Sequence, residues 1–209
     1  MVSKVLVAIS SCEQYERDGL NTPMRETWGL DAKNLGWDVV FFHGLGATPR
    51  EDVVLVNCPD EYYALTDKTK AKIRYALEHG YEYAFMCFPD TYACVDRLLT
   101  CGFQAHDYYG NVYQHPGGPR YCQGGPGFFL SRRAMETLNK NPSNYPNEDC
   151  WVGDVLNAAG IPPVNCLGFK NLGPGPLRTN TSITNHLSTQ PSGYTGENMR
   201  AAHREWLNS

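Results

Sequence analysis

Short, almost unbroken apolar runs punctuate the first half of the chain. Lys4-Val-Leu-Val-Ala-Ile9 is one, and Trp37 to Phe42, Asp52 to Val56 and Tyr81 to Phe88 repeat it. Apolar runs of this length predict strands buried on both faces, as in a parallel sheet covered by helices. Between the third and fourth runs, Thr66 to His79 combines lysines with Ile73 and Leu77, and Gly80 follows. That pattern predicts an amphipathic helix with a C-terminal stop. Thr22 to Leu30, with Pro23 in its first turn, predicts a second helix. Strands alternating with helices imply an open α/β sheet. Ligands in such sheets bind beyond the carboxyl ends of the strands, and Ser10-Ser11 and Asp90 fall at such ends.

The second half has a different texture. Tyr108 to Tyr113 predicts a strand, and Ser131 to Asn139 and Glu148 to Ala159 predict helices. His115-Pro-Gly-Gly-Pro119 and Gln123-Gly-Gly-Pro-Gly127 are glycine-rich loops. Ile161 to Gly193 is rich in Pro, Gly, Asn, Ser and Thr, which predicts a loop-dominated segment suited to covering a site. Asn198 to Leu207 predicts a short terminal helix. No repeat and no linker divides the 209 residues, so one domain is expected throughout.

Composition changes this picture little. A hydrophobic fraction of 42% and a charged fraction of 19% suit a soluble globular protein. A net charge of -4 provides no general attraction to nucleic acid or anionic membrane. The eight cysteines contain no C-x-x-C pair, so zinc-ribbon spacing is absent and reduced thiols are expected. The apolar stretch in MVSKVLVAISSC is too short for a secretory signal, and nothing approaches a membrane span. These features predict a cytoplasmic protein, without signal peptide or anchor, of a bacterium or an infected host cell.

Several motifs carry candidate chemistry. Met24-Arg-Glu-Thr-Trp-Gly29 follows the first strand, and Leu65-Thr-Asp-Lys-Thr69 opens the lysine-bearing helix. The fourth strand ends in Phe88-Pro-Asp-Thr-Tyr92. In Tyr121-Cys-Gln-Gly-Gly-Pro-Gly-Phe-Phe-Leu-Ser131, the Gly124-Gly125 pair lets backbone approach a ligand closely. Asn147-Glu-Asp-Cys-Trp-Val-Gly153 places two acids at a helix start. A late histidine, His186, sits in Ile183-Thr-Asn-His-Leu187. Each motif alone also has an ordinary structural explanation: a surface arginine, a core tryptophan, a tight turn, or acids complementing a helix dipole.

In this order and at these separations, the motifs resemble glycosyltransferase family 31, which includes β-1,3-galactosyltransferases and Fringe-like enzymes. The resemblance covers roughly Val5 to His186. It implies a GT-A fold, with a Rossmann-like nucleotide half over about residues 1–100 and an acceptor half over about 101–209. It also implies a UDP-sugar donor, Mn²⁺ and inversion at the anomeric carbon. The family's metal motif is usually three consecutive acids. Here those positions read Phe88, Pro89 and Asp90, so a single acid remains. By resemblance, Asp90 and His186 would be metal ligands and Asp149 the catalytic base. Ser10, Arg25, Lys68, Gly124 and Gly125 would contact the nucleotide sugar, with Arg25 and Lys68 neutralising phosphate charge.

The chemistry suits these residue types. Departure of a diphosphate needs a divalent metal or fixed cations, and Mn²⁺ accepts both carboxylate and imidazole. A carboxylate can take the proton of an attacking hydroxyl. The acceptor stays open among a saccharide, a protein and a modified base in DNA. Trp151, Phe128 and Tyr121 are candidates to stack on a sugar or base, and His115 is a candidate to touch substrate. The alternative from another class is an inactive nucleotide-sugar or glycan-binding module, motivated by the broken acid triplet. The retained Glu148-Asp149 pair argues for the enzyme.

Overall fold

The computed structural model describes residues 4–114, 116–142, 147–172, 181–188 and 193–208. Its first half contains β1 (Val5–Ser10), α1 (Glu13–Arg17), α2 (Thr22–Glu26), α3 (Trp28–Asn34), β2 (Asp38–His43), β3 (Val53–Leu55), α4 (Leu65–Glu78), β4 (Tyr83–Cys87), β5 (Thr91–Ala93) and α5 (Val95–Thr100). The second half contains β6 (Tyr108–Gly110), β7 (Val112–Gln114), β8 (Arg120–Cys122), β9 (Phe128–Ser131), α6 (Arg132–Lys140), α7 (Glu148–Ala158), β10 (Val164–Asn165), β11 (Phe169–Lys170), β12 (Thr184–His186) and α8 (Gly196–Leu207).

Seven strands form the main sheet, in the order β10-β6-β9-β4-β1-β2-β3. β1 lies parallel to both β2 and β4, while β9 runs antiparallel between β4 and β6. The unbroken apolar runs follow from this layering. Val5, Val7 and Ile9 of β1 enter one core with residues of α2, α3, α5 and α8. Leu6 and Ala8 enter the opposite core with residues of α4, α6 and α7. A strand buried on both faces needs no polar alternation. Among the described residues, no helix is long and apolar enough to cross a membrane.

Two expected elements are divided. Thr22 to Leu30 is two short helices, broken at Thr27, whose φ of -114° and ψ of -124° leave the helical region. The Thr27 hydroxyl donates to the Pro23 carbonyl at 2.6 Å, competing with the backbone ladder. Tyr108 to Tyr113 is likewise divided between β6 and β7. Gly110 lies so close to β9 that an added Cβ would come within 2.8 Å of Phe128 Cβ. Its neighbour Asn111 donates a side-chain hydrogen bond to the Phe169 carbonyl. Within the loop-rich C-terminal segment, β10, β11 and β12 are short strands. Residues 173–180 and 189–192 of the expected cover lie outside the described residues.

Candidate functional site

Phe88-Pro89-Asp90 forms the turn between β4 and β5, at the carboxyl end of the central parallel strands. Thr91 secures this turn. Its amide donates to the Phe88 carbonyl at 3.1 Å, and its hydroxyl accepts from the Phe88 amide at 3.2 Å. The same hydroxyl donates to the Gly125 carbonyl at 2.8 Å, joining the turn to the glycine-rich loop. Trp28, fully buried, donates its indole N–H to the Thr91 carbonyl at 2.8 Å. The tryptophan of the first motif therefore supports the Asp90 turn from beneath. Gly29 beside it has no room for a Cβ, which would lie 2.6 Å from the Met24 carbonyl oxygen.

A second, three-stranded sheet brings His186 to this turn. β12 pairs antiparallel with β5, setting His186 opposite Thr91, and the Leu187 amide donates to the Asp90 carbonyl at 2.8 Å. His186 Nε2 lies 3.2 Å from Asp90 Oδ2, and its Nδ1 lies 2.9 Å from Asn171 Oδ1. An amide oxygen only accepts, so Nδ1 carries the proton in this contact. In the neutral ring, Nε2 then directs a lone pair at a carboxylate, an arrangement that requires a proton or metal cation between them. Asp90 Oδ1 is also buried without a hydrogen-bond partner among the described residues. Two ligands sharing a small divalent ion stand about 3 Å apart, and a metal-binding histidine typically donates its other N–H to a fixed acceptor. These residues fit a divalent cation. Among the described residues they are only a pair, since no cluster of three or more His, Cys, Asp or Glu side chains occurs there.

Across the cleft stands the first turn of α7. Glu148 and Asp149 line the same space as Asp90 and His186, a cleft of about 740 Å³. Burial, followed by the adjacent Asp149 charge, pushes Glu148 up to about 7. Burial also raises Asp149, against opposing hydrogen bonds from the Cys150 and Gly124 amides. The two glycines of the loop are sites of close approach. A Cβ on Gly124 would lie 2.9 Å from the Phe88 ring and 3.0 Å from Glu148 Oε1. A Cβ on Gly125 would lie 2.5 Å from His186 Nδ1.

The floor comes from the carboxyl end of β1 and the start of α4. Ser10 is buried and lines the cleft, and its hydroxyl has no hydrogen-bond partner among the described residues. Lys68 reaches the floor from α4, but its ammonium donates to the Ser11 carbonyl at 2.6 Å and Asp60 Oδ1 at 2.8 Å. Only 2% of Lys68 is exposed. Asp60 also accepts the Gly44 amide at 2.5 Å and the Glu13 amide at 2.6 Å. One carboxylate thus ties together the loops after β1 and β2 and the lysine helix. Asp60 lies outside the sequence motifs described above. Its signal was an acid in the β3–α4 connection, one helical turn and more before Lys68.

Arg25 has a different setting. It faces a separate depression lined by Trp37, Asp38 and Arg50, away from the cleft containing Asp90. Its guanidinium pairs with Glu16 and Asp52, each at 2.6 Å, and lies over the Phe41 ring. Glu16 also accepts from the Asn21 amide, and Asn21 Oδ1 accepts from the Ser11 hydroxyl. Arg25 therefore supports the cleft floor through Glu16, Asn21 and Ser11. Burial alone would raise Glu16, but hydrogen bonds from Arg25 and Asn21 outweigh it and hold the carboxyl below its ordinary value. Asp60 is held low in the same sense by Lys68 and two backbone amides, also against burial. Stability from both groups is present above their ordinary carboxylate pKa and is lost as pH falls through the depressed folded values. Arg25→Ala would leave Glu16, 5% exposed, without its main partner. The expected loss is about 2–3 kcal/mol, less than for a fully buried pair because Arg25 is partly solvated. A urea-unfolding midpoint unchanged from wild type would contradict this structural role.

Two expected stacking residues also belong elsewhere. Trp151 and Phe128 are each 2% exposed within the core beneath the sheet. Their positions on α7 and β9 point them away from solvent. Tyr121 does line the cleft. His115 lies outside the described residues. An aromatic outside those motifs, Tyr62, is 84% exposed at the cleft mouth. Its Tyr62-Tyr63 pair directly precedes the lysine helix, where two consecutive exposed aromatics were the available signal.

No protein-family model and no curated protein matches the chain. Solved structures do. The galactosyltransferase LgtC, in complex with donor and acceptor sugar analogues, aligns over 95% of both chains with a TM-score of 0.52 and 9% identity. A glycosyltransferase involved in glycosylation of the major capsid of PBCV-1 aligns over 95% of this chain and 99% of its own. The TM-score is 0.53 and the identity 13%. At these identities the likeness concerns architecture: a mixed α/β, mainly parallel sheet flanked by helices, the GT-A fold of glycosyltransferases.

Proposed function

We propose that this protein is an inverting glycosyltransferase of the family 31 type, moving a sugar from a UDP-sugar to an acceptor hydroxyl. The observation that carries this reading is one cleft in which the Asp90–His186 pair faces the half-buried carboxylate of Asp149. A volume of about 740 Å³ suits a nucleotide-sugar-sized ligand. Asp90 Oδ2 and His186 Nε2 would hold Mn²⁺, with Asn171 fixing the imidazole. The ion, when bound, neutralises charge on the departing diphosphate. Ser10 is free to hydrogen-bond the donor, and Gly124 and Gly125 permit close backbone approach. Asp149 accepts the acceptor hydroxyl's proton as that oxygen bonds to the anomeric carbon. The bond from that carbon to the diphosphate breaks on the opposite side, and UDP leaves with the electron pair. Glu148 surrounds this base with negative charge and limited solvent.

The lining charges favour metal dependence. Asp60, Glu61, Asp90, Glu148 and Asp149 all border the cleft, whereas the one lysine lining it among the described residues, Lys68, is already paired. An anionic diphosphate entering such a field requires a compensating cation. Calorimetric titration with UDP is therefore expected to show binding in Mn²⁺ and loss of at least about tenfold in EDTA. Equal affinity in EDTA would overturn the metal assignment, and no binding in either condition would overturn the nucleotide-sugar reading. Phe88 and Pro89, which line the cleft where family members carry acids, favour the second reading of a non-catalytic binding module. UDP binding without transfer or donor hydrolysis would support that alternative.

A further inference from the structure

We propose that Lys72 is a positioning residue for the glycosyl-transfer site: its buried ammonium is the counter-charge of Glu148 and favours the ionised form of that carboxyl beside Asp149. This rests on the glycosyl-transfer reading above and adds a residue that its motifs do not contain. Lys72 lies on α4, one helical turn beyond Lys68, and only 2% of it is exposed. Here α4 packs against α7, the helix that carries Glu148. The Lys72 ammonium stands over the Phe88 ring, 5.9 Å from its centroid. Glu148, also buried, meets the same ring across Gly124, where an added Cβ would lie 2.9 Å from Phe88 and 3.0 Å from Glu148 Oε1. The two groups therefore gather around Phe88, with Glu148 in the cleft lining and Lys72 beneath it.

The surrounding charges leave Glu148 as the anion for this lysine. Cys87, Glu148 and Lys68 act on Lys72. Burial pushes the Cys87 thiol far above its ordinary range, so the thiol stays neutral. Lys68 repels Lys72 and is itself held by Asp60 at 2.8 Å. On Glu148, the Asp149 charge repels and the Lys72 charge attracts. Tyr62, before α4, has its phenol raised by burial and then by Glu148, and so stays neutral too. Two adjacent acids in a poorly solvated site resist double ionisation. A fixed cation offsets that resistance, and its reach is long where water is scarce. Burial pulls Lys72 down to about 8, which still leaves it mostly charged at pH 7. Phe88 contributes by what it is not. A carboxylate at position 88 would compete for the ammonium, whereas a phenyl ring offers only its face.

The test is carboxyl ¹³C NMR on the full chain, labelled at glutamate and titrated without donor. The Glu148 resonance is the one absent from Glu148→Gln. In Lys72→Met its midpoint is expected to rise by about one pH unit, a tenfold gain in proton affinity. Lys70→Met, which removes a lysine of the same helix paired with Asp67, is expected to match wild type. Methionine keeps the length of the stem and removes a desolvated charge, so the unfolding midpoint at pH 7 should not fall. If Lys72→Met nonetheless fails to fold, the reciprocal titration decides. In Glu148→Gln, the Lys72 ε-carbon signal should then titrate at lower pH than in wild type. An unmoved Glu148 midpoint in Lys72→Met, or an unmoved Lys72 midpoint in Glu148→Gln, overturns the pairing. The role in transfer has its own readout. The pH–rate profile of Lys72→Met should move toward that of Glu148→Gln, and combining the two substitutions should change it no further. Additive changes would overturn the positioning role. If wild type transfers no sugar from any UDP-sugar, the glycosyl-transfer reading falls and the positioning role with it, while the donor-free titrations still decide the pairing.

Discussion

Asp149→Asn is expected to lower the turnover number for sugar transfer by about 10²–10⁴-fold, the usual range for loss of a general base. Asparagine preserves the shape and can still receive the Cys150 amide, which donates to Asp149 Oδ1 at 2.8 Å. It cannot take a proton from the acceptor. UDP affinity in Mn²⁺ should therefore remain near wild type, locating the defect in the chemical step. The pH dependence provides an independent check. Burial raises both Asp149 and Glu148, the latter to about 7, and their charges act on one another. Because the base must be ionised, wild-type activity should fall as pH drops through this coupled titration and level off above it. Glu148→Gln removes a neighbouring negative charge, so the acidic limb should move to lower pH while a substantial rate remains. Transfer by Asp149→Asn within threefold of wild type would exclude Asp149 as the base.

The layered fold was legible because burial writes itself directly into composition. β1 must be apolar on both sides, and its run Val5 to Ile9 says so. The helix break at Thr27 was hidden because Thr22 to Leu30 contains no residue that forbids a continuous helix. Only the long-range bond from Trp28 to the Thr91 carbonyl shows what the break positions. Contacts distant in sequence also explain what motif order left undecided. His186 reaches Asp90 through pairing of β12 with β5, a register that local periodicity does not encode. Arg25 and Lys68 were legible as cations near strand ends, but not their partners. Both have carboxylate neighbours from other segments: Asp52 and Glu16 for Arg25, and Asp60 for Lys68. The same residue type at the same strand end can face a ligand or brace the loop beside it. The deciding carboxylates come from folding, not from the motif itself.

Those braced cations make Asp90 the more consequential residue, and Asp90→Ala should weaken UDP binding in Mn²⁺ by at least about tenfold. In EDTA, the variant and wild type should bind UDP equally poorly if Asp90 acts through the ion, as proposed. Alanine also leaves His186 Nε2 without its 3.2 Å neighbour, so the remaining site has a single protein ligand among the described residues. Gly125→Ala approaches the same site from the other side without removing a ligand. Its Cβ would lie 2.5 Å from Nδ1 and 2.7 Å from Cγ of His186, distances that force the ring to move. That movement disrupts the Asn171 contact at Nδ1 and the alignment of Nε2 with Asp90. Gly125→Ala should therefore reproduce the metal-dependent loss, with a matching fall in Mn²⁺ affinity measured by electron paramagnetic resonance. The unfolding midpoint serves as the control, since Gly125 lies outside the regular elements and an intact β5–β12 pairing should keep the fold stable. If both variants retain full Mn²⁺ affinity, the Asp90–His186 pair is not the metal site. The missing acids at Phe88 and Pro89 would then mark a cleft that binds its nucleotide without a protein-held ion.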